Sequence, residues 1–292
     1  MARSMSNEAC IVSGTKNYEP YSKGLIRNID SGLIVAEEIP SEADLKHLYE
    51  KEYFFGMEYS DYIADRPALE KNFLGRIKRL KKLGLLHSRN HVVEVGCAYG
   101  YFLNLLKNEV KSMKGYDVSQ DGIKFAKEEL GVDASNDDFL KVNFATKIDL
   151  VCMWDVIEHV SRPDVFVQKA ADILKKGGAL ALTTGDIGTP VPKIRGGKWR
   201  MIHPPTHIYY FNKKSMYALL EKHGFEVVSY KYSATYRNVG SVLNQLIVNQ
   251  KASGKKAGIL RGFLGACERL KLTNLNVPLN TFDIMDVIAV KR

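Results

Sequence analysis

The sequence has no apolar run long enough to cross a bilayer: stretches such as 179–182 and 287–290 are broken by polar residues far short of the roughly 20 that a spanning helix needs. The first twenty residues hold no apolar core of signal-peptide length, so the cytoplasm is the expected compartment. The four cysteines, Cys10, Cys97, Cys152 and Cys267, stand far apart without a C-x-x-C pair. That spacing argues against a zinc site and a disulfide scaffold, and predicts free thiols. Acidic residues are missing from 187–220, where six basic ones fall: Lys193, Arg195, Lys198, Arg200, Lys213 and Lys214. No internal repeat or long low-complexity tract is visible.

The chain does have the makings of a large core. Its 292 residues are 45% hydrophobic and 26% charged, enough for one large domain plus an appendage. A net charge of +9 is read as a solvated basic surface and not as a nucleic-acid interface, because no basic binding module accompanies it. From Asn90 onward, apolar runs of strand length alternate with helical patterns, the habit of an α/β fold with a parallel sheet. Strands are expected at 91–95, 111–117, 133–136, 148–154, 179–184 and 226–233. The last strand, "DIMDVIAVKR", is expected to insert antiparallel. "SMYALLEKHGF" reads as a helix stopped at Gly224.

Two segments leave this rhythm. Residues 1–66 are polar and irregular until Ser41 and Asp44, whose spacing predicts a capping box. Residues 237–280 carry two helical apolar patterns joined by a polar linker, and read as a helical cap inserted between the body, 67–236, and the final strand, 281–292.

The stretch "HVVEVGCAYGYF" puts Glu94 in an apolar strand and Gly96 and Gly100 in the turn behind it. Asp117 follows 21 positions after Gly96, about where a carboxylate grips a ribose diol. A dinucleotide pyrophosphate turn would need glycine where Ala98 and Tyr101 stand. The turn therefore suits a nucleoside without phosphates, with Glu94 near a positive group; S-adenosyl-L-methionine fits.

"VVEVGCAYGYF", "GYDVS" and "DLVCMWDVIEHVSRPDVFVQKAADILKKGGALALTT" resemble successive motifs of class I S-adenosylmethionine-dependent methyltransferases, over about 73–233 plus the last strand. "WDVIEHV" and "GGKWRMIHPPTHIYYFNKKSMYALLEKHGFEVV" resemble the branch of ubiquinone-pathway O-methyltransferases and sugar or natural-product methyltransferases. The resemblance implies a Rossmann-like, doubly wound, mostly parallel seven-stranded sheet with an antiparallel last strand. It implies that Gly96, Cys97 and Gly100 run along the methionine and ribose, and that Asp117 holds the ribose hydroxyls. Val118, Asp138 and Phe139 would meet the adenine, with Trp154 and Asp155 bordering the methionine and the acceptor entrance. Ala98 departs from the usual middle glycine and is expected to weaken binding at most. Asp155, Glu158 and His159 resemble a divalent-metal triad of some ubiquinone-pathway members, but no metal is expected.

Methyl transfer needs alignment above all, and a base only where the acceptor loses a proton. His207, then His203 and His159, are the candidates. The basic 193–200 stretch suggests an anionic acceptor, a small molecule or a glycan precursor. "SGLIVAEEIPSEADLKHLYEKEYF" resembles the segment behind a zinc module in certain sugar C-methyltransferases, here without that module's cysteines apart from Cys10. The apolar faces of 237–280 must be covered by the catalytic domain, a second subunit or a membrane surface. A lid that also helps to form a homodimer is favoured over peripheral membrane contact. The rival readings are a nicotinamide-dependent oxidoreductase, which would need the missing phosphate turn, a noncatalytic module that binds the cofactor, and an RNA methyltransferase, against which the chain lacks an Asn-Pro-Pro-Tyr-like motif.

Overall fold

The computed structural model describes residues 3–22, 24–41, 44, 62–243, 262, 264–267, 269–270 and 272–292. The N-terminal part contributes strands β1 (Tyr18–Ser22), β2 (Leu25–Asn28) and β3 (Ile34–Ala36). Helix α1 (Arg66–Lys82) leads into β4 (His91–Val95), α2 (Tyr101–Leu106), β5 (Ser112–Tyr116), α3 (Gln120–Glu128) and β6 (Ala134–Ser135). Then come β7 (Ile148–Trp154), α4 (Pro163–Ile173), β8 (Leu174–Gly185), α5 (Pro190–Arg195), β9 (Tyr209–Tyr210) and α6 (Lys213–Lys222). Strands β10 (Phe225–Tyr232), β11 (Thr235–Asn238), β12 (Asn276–Leu279) and β13 (Ile284–Lys291) close the chain.

Seven strands form one sheet in the order β10–β13–β8–β7–β4–β5–β6. Strands β4 to β8 pair in parallel, and β13 runs antiparallel between β8 and β10, as the sequence predicts. The alternation of side chains divides the core. Val93, Val95, Val151, Met153, Leu180, Leu182, Val287 and Ala289 face α4 and α6. Val92, Leu150, Cys152, Ala179, Ala181 and Ile288 face α1, α2 and α3. Strand β7, "IDLVCMW", is apolar along almost its whole length because it sits mid-sheet with both faces covered. Asn212 and Ser215 close a capping box on α6, and Gly224 takes φ +80° just beyond its end.

Residues 18–36 are not irregular, as the polar composition had suggested. They form an antiparallel sheet, β9–β3–β2–β1, that recruits Tyr209 and Tyr210 from the far end of the chain. Few apolar residues suffice here because both faces are used. Ile26, Val35 and Tyr209 join the main core, while Leu25, Ile34, Ala36 and Tyr210 enclose Trp199 and Ile187. The Ser41–Asp44 box forms: Ser41 Oγ accepts the Asp44 amide and Asp44 accepts the Ser41 amide, each at 3.3 Å. The helix expected after it lies outside the described residues, as do most of the 237–280 patterns. The described residues of the two helical patterns, 240–243, 262, 264–267 and 269, are helical, and outside the patterns β11 and β12 pair antiparallel at the ends of the insertion. No helix among the described residues is long and apolar enough to cross a membrane.

Candidate active site

The glycine turn lies at the carboxyl end of β4, in mid-sheet, where open α/β sheets hold their ligands. Gly96 has φ +74°, and a Cβ there would stand 2.3 Å from Val156 Cγ2. Gly100 has φ +76°, and its Cβ would meet Ala126 and Val132 at 2.9 Å. Both positions exclude a side chain, so the backbone stays open along the turn. Ala98, between them, is forced to φ +45°, a conformation that costs an L-residue about 1 kcal/mol. Ala98→Gly should therefore raise the unfolding free energy by about 1 kcal/mol. A denaturant melt showing no gain would contradict the assigned strain.

Asp117, just past β5, is tied back to this turn. Its Oδ2 accepts the Ala98 amide at 2.7 Å and its Oδ1 the Ser119 amide at 2.9 Å. Burial pushes its pKa up while these backbone donors pull it down. Each carboxylate oxygen has capacity for a further hydrogen bond. Glu94 is 2% exposed, and its Oε2 has no hydrogen-bond partner among the described residues. Burial holds its carboxyl well above the usual range, Asp117 adds to the rise, and Arg76 opposes it. Trp154 Nε1 is likewise buried without a partner among the described residues.

Arg76 was not among the residues singled out from sequence. It lies on the α1 face that buries Phe73, Ile77 and Leu80, over the Trp154 ring at 4.7 Å and 3.4 Å from Asp155 Oδ2. The legible signal was an arginine at a core-facing position of an amphipathic helix, which needs a specific anionic partner. It was hidden among the other cations of "RIKRLKK".

Other assigned residues fall unevenly. Cys97 is buried, with its thiol pushed well up by desolvation. Val118 is 52% exposed at the β5 end, whereas Phe139 is 4% exposed and packs with Tyr116, Phe144 and Phe166 inside the core. Asp138 lies on the outside, accepting the Leu140 amide at 3.0 Å and pairing with Lys141 at 3.1 Å. Asp155 has φ +55° and turns towards Arg76, apart from the Glu158–His159 pair.

The three histidines do converge. The rings of His159 and His207 are 4.4 Å apart between centroids, and those of His203 and His207 3.8 Å. Strand β9 makes this happen: the amides of Ile208 and Tyr209 donate to the Glu158 carbonyl at 2.9 and 3.1 Å, laying "HPPTHIYYF" across the loop after β7. Burial lowers His159 to about 4 and takes His207 well below its ordinary value. His203 is the part-buried member. The Thr206 hydroxyl donates to the His203 carbonyl at 2.9 Å and accepts from His203 Nδ1 at 2.6 Å, which assigns the ring lone pair to Nε2.

The basic 193–200 stretch is not without an acid. Arg200 pairs at 2.7 Å with Asp283, which is fully buried and also accepts the Trp199 indole at 2.7 Å. The partner was invisible along the sequence because it comes from the turn before β13. Lys193, Arg195 and Lys198 remain exposed.

A methyltransferase-domain family model matches residues 67–230. A ubiquinone biosynthesis O-methyltransferase of Bradyrhizobium diazoefficiens is 27% identical over 124 residues, covering 41% of this chain and 47% of that protein. One from Nitrosomonas europaea is 29% identical over 104 residues, covering 33% and 44%. The match thus spans less than half the length of these relatives. Among solved structures, magnesium protoporphyrin IX methyltransferase from Synechocystis PCC 6803 with bound SAH is similar with a TM-score of 0.50 at 15% identity, over 78% of this chain and 86% of that one; this likeness speaks for the fold. Sheet order, glycine turn and family match agree, and the chain belongs to the class I S-adenosylmethionine-dependent methyltransferases.

Proposed function

We propose that this protein transfers a methyl group from S-adenosyl-L-methionine to a small-molecule acceptor held between the turn and the histidine trio. The observation that carries the reading is the Asp117 carboxylate, locked by the Ala98 amide to a turn from which side chains are excluded at Gly96 and Gly100. The turn and the unpartnered Glu94 Oε2 and Trp154 Nε1 suit a nucleoside that ends in a zwitterion.

The cofactor supplies an activated methyl on a sulfonium. Asp117 binds the ribose, and Val118 offers apolar surface to the base. Arg76 is the cation for a carboxylate, which would compete with Asp155 for it. A cation beside Glu94 would lower its carboxyl again, as Arg76 already does in part. These groups fix the donor so that the acceptor meets the methyl in line with its leaving group, where most of the rate enhancement arises. Where the acceptor must lose a proton, His203 Nε2 takes it, held in its tautomer by Thr206. His207 and His159, more deeply buried, orient the loop.

An anionic acceptor is the finer reading, drawn to the exposed Lys193, Arg195 and Lys198. Replacing all three with glutamine should raise the acceptor KM several-fold at low salt and flatten its salt dependence, with donor affinity unchanged. A fall in donor affinity would place the loop on the cofactor side.

The function is tested by mass spectrometry of a small-metabolite extract incubated with methyl-labelled donor. The expected result is an acceptor that gains one labelled methyl. Tight donor binding with no labelled product in extracts of broad composition would favour the noncatalytic reading.

A further inference from the structure

We propose that Glu158, His159 and His207 form a binding site for a first-row transition-metal dication such as Zn2+, where strand β9 crosses the loop after β7. This set replaces the Asp155–Glu158–His159 triad suggested by resemblance.

The resembled triad does not assemble. Asp155 turns its carboxylate to Arg76 and leaves the other two residues. Its place is taken by His207, 48 positions after His159, which strand β9 delivers to the loop after β7. One ligand atom from each of Glu158, His159 and His207 lies within 4.8 Å of the others, and all three residues are buried. A metal–ligand distance of about 2.0–2.1 Å needs the three to draw inward by on the order of 1 Å.

The His159 imidazole is already oriented from outside the cluster. His159 Nδ1 donates to the Thr206 carbonyl at 2.9 Å, which puts its lone pair on Nε2. A backbone carbonyl on the far nitrogen is the arrangement that fixes the tautomer and direction of a metal-bound histidine. Thr184, Trp199, Met201 and Tyr210 close around Glu158 and His207, and three protein ligands leave a fourth coordination position for water.

The donor set decides the metal. Two imidazole nitrogens and one carboxylate suit Zn2+, Co2+ or Fe2+, whereas Mg2+ favours an oxygen-rich shell that includes several waters. Substituting His207 for Asp155 therefore changes the predicted specificity.

The test uses the full chain, stripped with chelator and titrated separately with Zn2+, Co2+ and Mg2+ by calorimetry, with the visible spectrum of the Co2+ form as a second readout. One Zn2+ or Co2+ per chain is expected, with a tetrahedral Co2+ spectrum and no Mg2+ uptake. His207→Ala and His159→Ala should lose the site, and Asp155→Asn should keep it. Retained stoichiometry in both histidine variants, or Mg2+ binding lost in Asp155→Asn, would overturn the proposal. So would absence of metal uptake by the unmodified chain. S-adenosylhomocysteine titrated into the same samples reports folding and keeps the outcome separate from that of the methyl-transfer reading. A variant that fails to bind it is replaced by His207→Gln.

Discussion

Asp117→Ala should lose about 3 kcal/mol or more of S-adenosylhomocysteine affinity, roughly a 100-fold rise in Kd. A carboxylate that accepts from both ribose hydroxyls makes two charge-assisted bonds worth about 1.5–3 kcal/mol each. The variant also releases the Ala98 and Ser119 amides from their acceptor, so the turn loosens as the ligand contact disappears. Asp117→Asn keeps the shape and one acceptor oxygen, and should fall between, near 10-fold. Calorimetry on variants whose melting is cooperative separates lost affinity from lost fold. Unchanged affinity in a folded Asp117→Ala protein would remove the carboxylate from the site.

Arg79→Met should destabilise the protein by about 3–5 kcal/mol, the cost of leaving a buried ion without its partner. Arg79 on α1 forms an ion pair with Asp286 of β13, with side chains 11% and 3% exposed. It also donates to the Asp286 carbonyl at 3.1 Å and to Ser229 of β10 at 2.5 Å. One guanidinium thus clamps the first helix of the methyltransferase body to the last two strands of its sheet. The double variant Arg79→Met, Asp286→Leu should recover much of the loss, because removing both charges removes the desolvation penalty as well. Chemical denaturation of the single and double variants measures this, and a loss below about 1 kcal/mol in the single variant would mean that the pair is solvated.

The sheet could be read from the sequence because its strands announce themselves locally. Ile148–Trp154 is apolar apart from Asp149, and only a mid-sheet strand covered on both faces tolerates that. That Gly96, Gly100 and Asp117 meet at one turn was legible because their placement follows from spacing along one strand–turn–helix–strand unit. Arg76, His207 and Asp283 do their work through partners 79, 48 and 83 positions away, at Asp155, His159 and Arg200. No local pattern carries such pairings. The same limit explains the N-terminal sheet: β3 completes itself with Tyr209 and Tyr210, so its apolar faces look too sparse until the partner strand is in place. Phe139, which the resemblance assigned to the adenine, packs instead against Phe144 and Phe166, neighbours that the motif match does not reveal.

The central claim is that this turn holds S-adenosylmethionine and not a dinucleotide. Titration calorimetry of the unmodified protein with S-adenosylhomocysteine and, separately, with NADH tests it most directly. The account predicts one S-adenosylhomocysteine bound per chain and no heat of binding from NADH. Saturable NADH binding, or no S-adenosylhomocysteine binding to a folded protein, would contradict it.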